Sequence, residues 1–171
     1  VSSSAASDVY KRQGIGYVGT GISTGGIFNS DFYAYSPNSN SWAAIPDIIG
    51  TARQYCTSFV LNGKGYIVGG ILDGWTYTNE MQSYDPASNA WSIETSLPAS
   101  ARFSSSSVSI GHKGYLFGGR NQTISFDDVW EYNALTKAWT QKNNLPNGSR
   151  YESIAFNICL LYTSDAADDE T

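Results

Sequence analysis

GYIVGG, residues 65–70, is the stretch on which the fold turns. Two related stretches flank it: GYVGTG at residues 16–21 and GYLFGG at residues 114–119, so three Gly-Tyr pairs recur at a spacing of 49 residues. Working outward from each pair, a tyrosine returns at Tyr35, Tyr84 and Tyr132, a tryptophan at Trp42, Trp91 and Trp139, and an arginine at Arg53, Arg102 and Arg150. Between tyrosine and tryptophan lie three turn-forming segments, SPNSNS, DPASNA and NALTKA. Agreement among four kinds of anchor at one period is the mark of a structural repeat. It also disposes of a competing motif. GIGYVGTG, residues 14–21, fits G-x-G-x-x-G, but a dinucleotide loop needs a helix to start there and offer its free N–H groups. The residues that follow, ISTGGIFNS, cannot begin an amphipathic helix. These glycines are a variant of a strand ending in Gly-Gly.

The termini read differently from the rest. Back-translation of residues 3–13 gives a DNA segment whose reverse complement, read from its second base, encodes residues 159–168 and the first two bases of the next codon. Residues 1–13 and 159–171 therefore resemble translated sequencing-adapter DNA and are expected to be artefactual tails. Setting them aside lowers the acidic count from 15 to 10 and the basic count from 10 to 8, and the net charge goes from −5 to −2. The acidic balance is then no argument for a basic partner, and no clustered Lys/Arg suggests nucleic acid. No apolar run is long enough for a membrane span. Cys56 is the one cysteine left, so no disulfide framework is expected.

Short Tyr/Val/Ile/Phe runs alternating with Gly/Asn/Pro/Ser clusters predict an all-β chain. In the second cycle four strands are expected, at about 55–61, 64–70, 80–85 and 90–94. Asn62-Gly63 is a two-residue hairpin signal and Asp85-Pro86 a turn opener.

The pattern Arg…Gly-Tyr-(apolar)2-Gly-Gly…Tyr-Asp-Pro…Trp resembles the kelch repeat across residues 14–158. It is most complete in the second copy, departs at Thr20 in the first and at Asn133-Ala134 in the third. The resemblance implies four-stranded antiparallel blades of a β-propeller, cycling at about 14–54, 55–102 and 103–150, with the next strand starting at 151–158. That is an incomplete arc of about three blades, and closed propellers need about four or more. Both ends are expected to expose blade faces, with poor behaviour in isolation. Gly69, Gly70, Gly118 and Gly119, together with the repeated tyrosines and tryptophans, are assigned structural roles: close backbone passage and apolar plates between blades.

Function is expected on the face built from two sets of loops, 22–30, 71–79 and 120–128, and 45–53, 95–102 and 143–150. Trp75 and Tyr77 stand out as loop aromatics expected to lack a counterpart in the first copy. Such side chains stack on sugars or receive peptides. Arg53, Arg102 and Arg150 enter innermost strands. They are candidates for holding a carboxylate, as kelch arginines at this place often do. The structural alternative is a repeated ion pair with Asp31, Glu80 and Asp128. Catalytic candidates are few. His112 is the one histidine and sits on the opposite face. No His/Cys cluster suits a metal, no ligand set like that of kelch-like copper oxidases is present, and no cofactor is implied. The serines at 104–107 and Cys56 read as packing. Asn121 and Asn147 begin glycosylation sequons.

These readings converge on a non-catalytic interaction module that binds a protein segment or a glycan. The composition suits an extracellular or periplasmic setting. The alternative is part of a kelch-fold enzyme, similar to a sialic-acid mutarotase, acting on a carboxylated sugar.

Overall fold

The computed structural model describes residues 14–158, so the expected tails lie outside the described residues. Every regular element among those residues is a β-strand. The first sheet is built from β1 (Gly16–Gly19), β4 (Phe32–Ser36) and β5 (Ser41–Ile45), in the order β1-β4-β5. A small ribbon, β2 (Ile22–Ser23) and β3 (Ile27–Phe28), interrupts it in sequence. The second sheet is entered through β6 (Arg53–Gln54), which pairs with β9 (Ile71–Leu72), itself paired with β10 (Thr76–Tyr77). Its body comprises β7 (Thr57–Leu61), β8 (Lys64–Val68), β11 (Met81–Asp85) and β12 (Ala90–Glu94), in that spatial order. The third sheet repeats the arrangement with β13 (Ser106–Ile110), β14 (Lys113–Phe117), β15 (Val129–Asn133) and β16 (Ala138–Lys142). All neighbours are antiparallel, which makes each four-stranded sheet a propeller-type blade.

All four strands expected in the second cycle lie within two residues of their expected bounds, the first starting at Thr57 rather than Tyr55. The second, β8, stops at Val68 rather than Gly70. The cause is the glycine doublet: Gly69 and Gly70 take φ of +69° and +111°, which no strand can follow. A Cβ at Gly69 would meet the Arg102 carbonyl oxygen at 2.5 Å, so the close backbone passage is real. In the first copy Thr20 stands at this place and is held at φ +58°.

The repeated aromatics are cross-strand partners. Tyr35 lies opposite Trp42, Tyr84 opposite Trp91 and Tyr132 opposite Trp139, with ring centroids 4.8, 5.4 and 5.1 Å apart. Two of the tryptophans also stitch a sheet to the preceding one. The Trp91 indole N–H donates to the Pro46 carbonyl and that of Trp139 to the Thr95 carbonyl, both at 2.8 Å.

Between the second and third sheets lies the main core: Phe59, Leu61, Tyr66, Val68, Met81, Leu97, Leu116 and Tyr132. A smaller cluster of Phe32, Ile48 and Ile67 joins the first sheet to the second. Along β7 buried and exposed residues alternate, as a strand with one face in the core must. The serines expected to pack do so with their hydroxyls. Ser107 and Ser109 on β13 donate to the Ser58 and Val60 carbonyls of β7, tying neighbouring inner strands together. Residues 151–158, read as the start of a further strand, carry no ladder among the described residues.

Candidate functional site

Both loop sets do meet at one end of the sheets. Each doublet's second glycine receives the chain arriving at the next arginine: the N–H groups of Gly21, Gly70 and Gly119 donate to the carbonyls of Arg53, Arg102 and Arg150 at 2.7–2.8 Å. Likewise Ile48, Leu97 and Leu145 donate to Ser30, Asn79 and Asp127. This end therefore has a rigid backbone frame from which the loop side chains project.

The arginines separate into two groups. Arg102 is 2% exposed and fully engaged. Its guanidinium takes the Asp128 carboxylate through both terminal nitrogens, at 2.5 and 2.9 Å. It also donates to the carbonyls of Gly118 and Ser100, and it lies 4.0 Å over the Phe126 ring. Arg53, equally buried, binds Glu80 through a single terminal nitrogen at 2.6 Å. The longer glutamate side chain, which also accepts from Gln82, does not offer the two-point fit that Asp128 does. The structure thus places the expected Arg–acid pair in both complete sheets. Arg150 is exposed.

On the outer surface the loops assemble aromatics. Trp75 is 67% exposed, with its ring edge-on to Phe28 at 5.6 Å and its backbone at φ +63°. Tyr77 stacks on Phe103 at 5.5 Å with planes 14° apart, and Phe103 in turn meets Tyr55. Arg120 lies between Phe103 and Tyr151, 5.6 and 4.8 Å from their ring centres. Sequence reasoning singled out Trp75 and Tyr77 but missed Phe28, Tyr55, Phe103, Arg120 and Tyr151. One of its arguments needs correction. Tyr77 does have counterparts: Phe28, Tyr77 and Phe126 each stand seven residues after a doublet's second position, Gly21, Gly70 and Gly119. Only Trp75 is peculiar to its copy, since Gly26 and Ile124 hold the matching places.

The remaining candidates lie apart from this strip. His112 sits in the turn between β13 and β14, where its carbonyl accepts from Ala134. Cys56 is half-buried with its sulfur 3.4 Å from the Thr20 hydroxyl, and desolvation pushes its thiol above the ordinary range. Asn121 turns its side chain inward to cap its own loop, accepting from the N–H groups of Thr123 and Ile124. Among the described residues no group of three or more His, Cys, Asp or Glu is placed to hold a metal ion, and no helix is long and apolar enough to cross a membrane.

Against known proteins, the model of the KLHDC2/KLHL20/DRC7 Kelch-repeats domain matches residues 3–162. No curated protein matches in sequence. Among solved structures, the one described as "Structure of YjhT" is similar in fold, with a TM-score of 0.65 at 20% identity. The match covers 78% of this chain and 50% of that one. The chain thus spans about half the length of that structure.

Proposed function

The chain belongs to the Kelch-repeat family, and from that premise we propose that it is a non-catalytic binding module whose loop face takes a protein segment, with a glycan as the other ligand class for the same aromatic strip. The observation that carries this reading is Trp75. A bulky residue at positive φ costs of order 1–3 kcal/mol, and such conformations cluster at functional sites. Here that cost presents a large apolar ring to water, edge-on to Phe28, while Tyr55, Tyr77 and Arg120 gather around Phe103 on the neighbouring loops. Aromatic and arginine side chains of this kind dominate binding energy at protein interfaces. An enzyme acting on a carboxylated sugar is favoured less, because Arg53 and Arg102 are buried against Glu80 and Asp128. An extracellular or periplasmic setting fits the Gly/Asn/Ser/Thr-rich composition.

Peptide-display and glycan-array screening of the full chain, followed by tryptophan fluorescence titration, tests the proposal. Trp75→Ala is expected to weaken the selected ligand by about tenfold or more with an unchanged circular dichroism spectrum. Undiminished binding would refute it, and so would a carboxylated sugar bound in a manner that requires Arg102.

A further inference from the structure

After the doublet, the first two cycles make the same turn. The β2–β3 and β9–β10 ribbons each enclose a three-residue loop, 24–26 and 73–75. The Gly26 N–H donates to the Ser23 carbonyl at 3.1 Å, and the Trp75 N–H donates to the Leu72 carbonyl at 2.9 Å. In both loops the last two residues take positive φ: Gly25 and Gly26 at +88° and +82°, Gly74 and Trp75 at +91° and +63°. The first cycle closes this turn with glycine alone, which is the residue suited to that backbone. A Cβ built on Gly26 meets nothing within 4 Å, so no neighbour there demands a side chain. Trp75 is therefore not what closes the turn, and its ring has a use outside the fold.

The surroundings of that ring give its ligand a sign. Trp75 and Phe28 stand at 83° to one another, two ring planes meeting nearly at a right angle, and most of the indole lies in water. A ring face carries partial negative charge and attracts a cation within about 6 Å of its centre, an indole most strongly. Asp73 shares the three-residue loop with Trp75 and is exposed. Its backbone N–H donates to the Ala52 carbonyl, which fixes the loop. Near Phe28 in sequence, Ser30 donates its hydroxyl to the Asp47 carboxylate at 3.0 Å. Among the described residues neither aspartate has a lysine or arginine within 4 Å. Arg53 is the one basic residue on loops 22–30, 45–53 and 71–79, and it is buried on Glu80. This part of the loop face thus offers ring surface and carboxylates, with no free positive charge. A basic side chain suits both, a neutral sugar would use the rings alone, and an anion would be repelled.

We propose that the Phe28–Trp75 corner, with Asp73 beside it, holds a lysine or arginine side chain of the protein segment bound by the loop face. This rests on the reading of that face as a surface for a protein segment, and adds the chemistry by which the segment is chosen. The apolar stem of the basic side chain packs on the rings while its charged head reaches the Asp73 carboxylate.

Two random-sequence peptide display libraries of equal length, one containing Lys and Arg and one lacking both, selected on the full chain, test this. Enrichment is expected from the first library alone. Replacing the basic residue of a recovered peptide by norleucine should weaken binding about five- to thirtyfold, and so should Trp75→Gly in the chain. Trp75→Phe should lose less than Trp75→Gly. Asp73→Asn should weaken binding about threefold and flatten its dependence on salt. Circular dichroism should be unchanged in all three variants, because both residues are exposed and Trp75→Gly restores the glycine turn of the first cycle. Equal enrichment from the library without Lys and Arg, or recovered peptides whose basic residue is dispensable, would overturn the proposal and leave the peptide-binding reading standing. A glycan as the sole ligand on an array would overturn it and leave the aromatic strip as a sugar site. No enrichment from either library would overturn it together with the protein-segment reading.

Discussion

Tyr84 and Tyr132 hold the same place in successive sheets, yet removing their hydroxyls is expected to have opposite effects. The Tyr84 hydroxyl donates to the Asn89 side-chain oxygen at 2.7 Å, and Tyr35 makes the same bond to Asn40 at 3.0 Å. In the third sheet the acceptor's place is taken by Lys137. The Tyr132 hydroxyl is buried without a partner, and burial pushes its ionisation upward. A paired hydroxyl contributes about 0.5–1.5 kcal/mol, whereas an unpaired buried one costs about 1–3 kcal/mol. Tyr84→Phe should therefore destabilise by about 1 kcal/mol and Tyr132→Phe should stabilise by about the same. For a chain of this size that moves the melting temperature by about 2–4 °C in opposite directions. Paired urea and thermal denaturation curves followed by circular dichroism would measure both. A third variant closes the argument. Lys137→Asn supplies the missing acceptor, and in that background Tyr132→Phe should turn destabilising, a coupling that a double-mutant cycle isolates. If Tyr132→Phe loses as much stability as Tyr84→Phe in the unmodified chain, the equivalence of the two sheets is wrong at this position.

Three further outcomes are expected. Arg102→Ala should cost about 3–5 kcal/mol in denaturation experiments, because it leaves the Asp128 carboxylate without its bidentate partner; a loss below about 1 kcal/mol would place the pair at the level of a surface contact. Thr20→Gly should stabilise by about 1 kcal/mol, since a β-branched residue at φ +58° costs about 1–2 kcal/mol and the two later copies carry glycine there; destabilisation would mean that the Thr20 hydroxyl's contact with Cys56 outweighs the strain. Glu131 accepts from Lys113 and Tyr115, which hold its carboxyl at about 2, below the ordinary 4.5. A carboxylate depressed in the folded state stabilises above its unfolded value, and that contribution is lost as pH falls from about 4.5 to 2. Urea midpoints across this range should fall less steeply for Glu131→Gln than for the unmodified chain.

Much of the fold was legible because its period is carried by residues that cannot easily be replaced. Gly69 and Gly118 sit against carbonyl oxygens that leave no room for a side chain, and Tyr84 and Trp91 face each other across two strands. The Arg–acid pairs were legible for the same reason, since an acid precedes the third strand in every copy. The candidate site was less so. The contact of Arg120 with Tyr151 joins loops of different cycles, and no local pattern announces it. Phe28 is not one of the repeat's anchors and differs in type from Tyr77, although its distance from Gly21 equals that of Tyr77 from Gly70. Residues 151–158 have a strand's sequence, but a ladder needs a hydrogen-bonded neighbour, and among the described residues they have none.

Near-identical sheets stand side by side, each covering the next. Hydrogen exchange of the tryptophan indole N–H groups, read by nuclear magnetic resonance, tests this arrangement most directly. Trp91 and Trp139 should exchange slowly and alike, since each donates to a carbonyl of the preceding sheet, while the exposed Trp75 should exchange at the rate of a free indole. Trp91 and Trp139 exchanging as fast as Trp75, or at rates unrelated to each other, would contradict it.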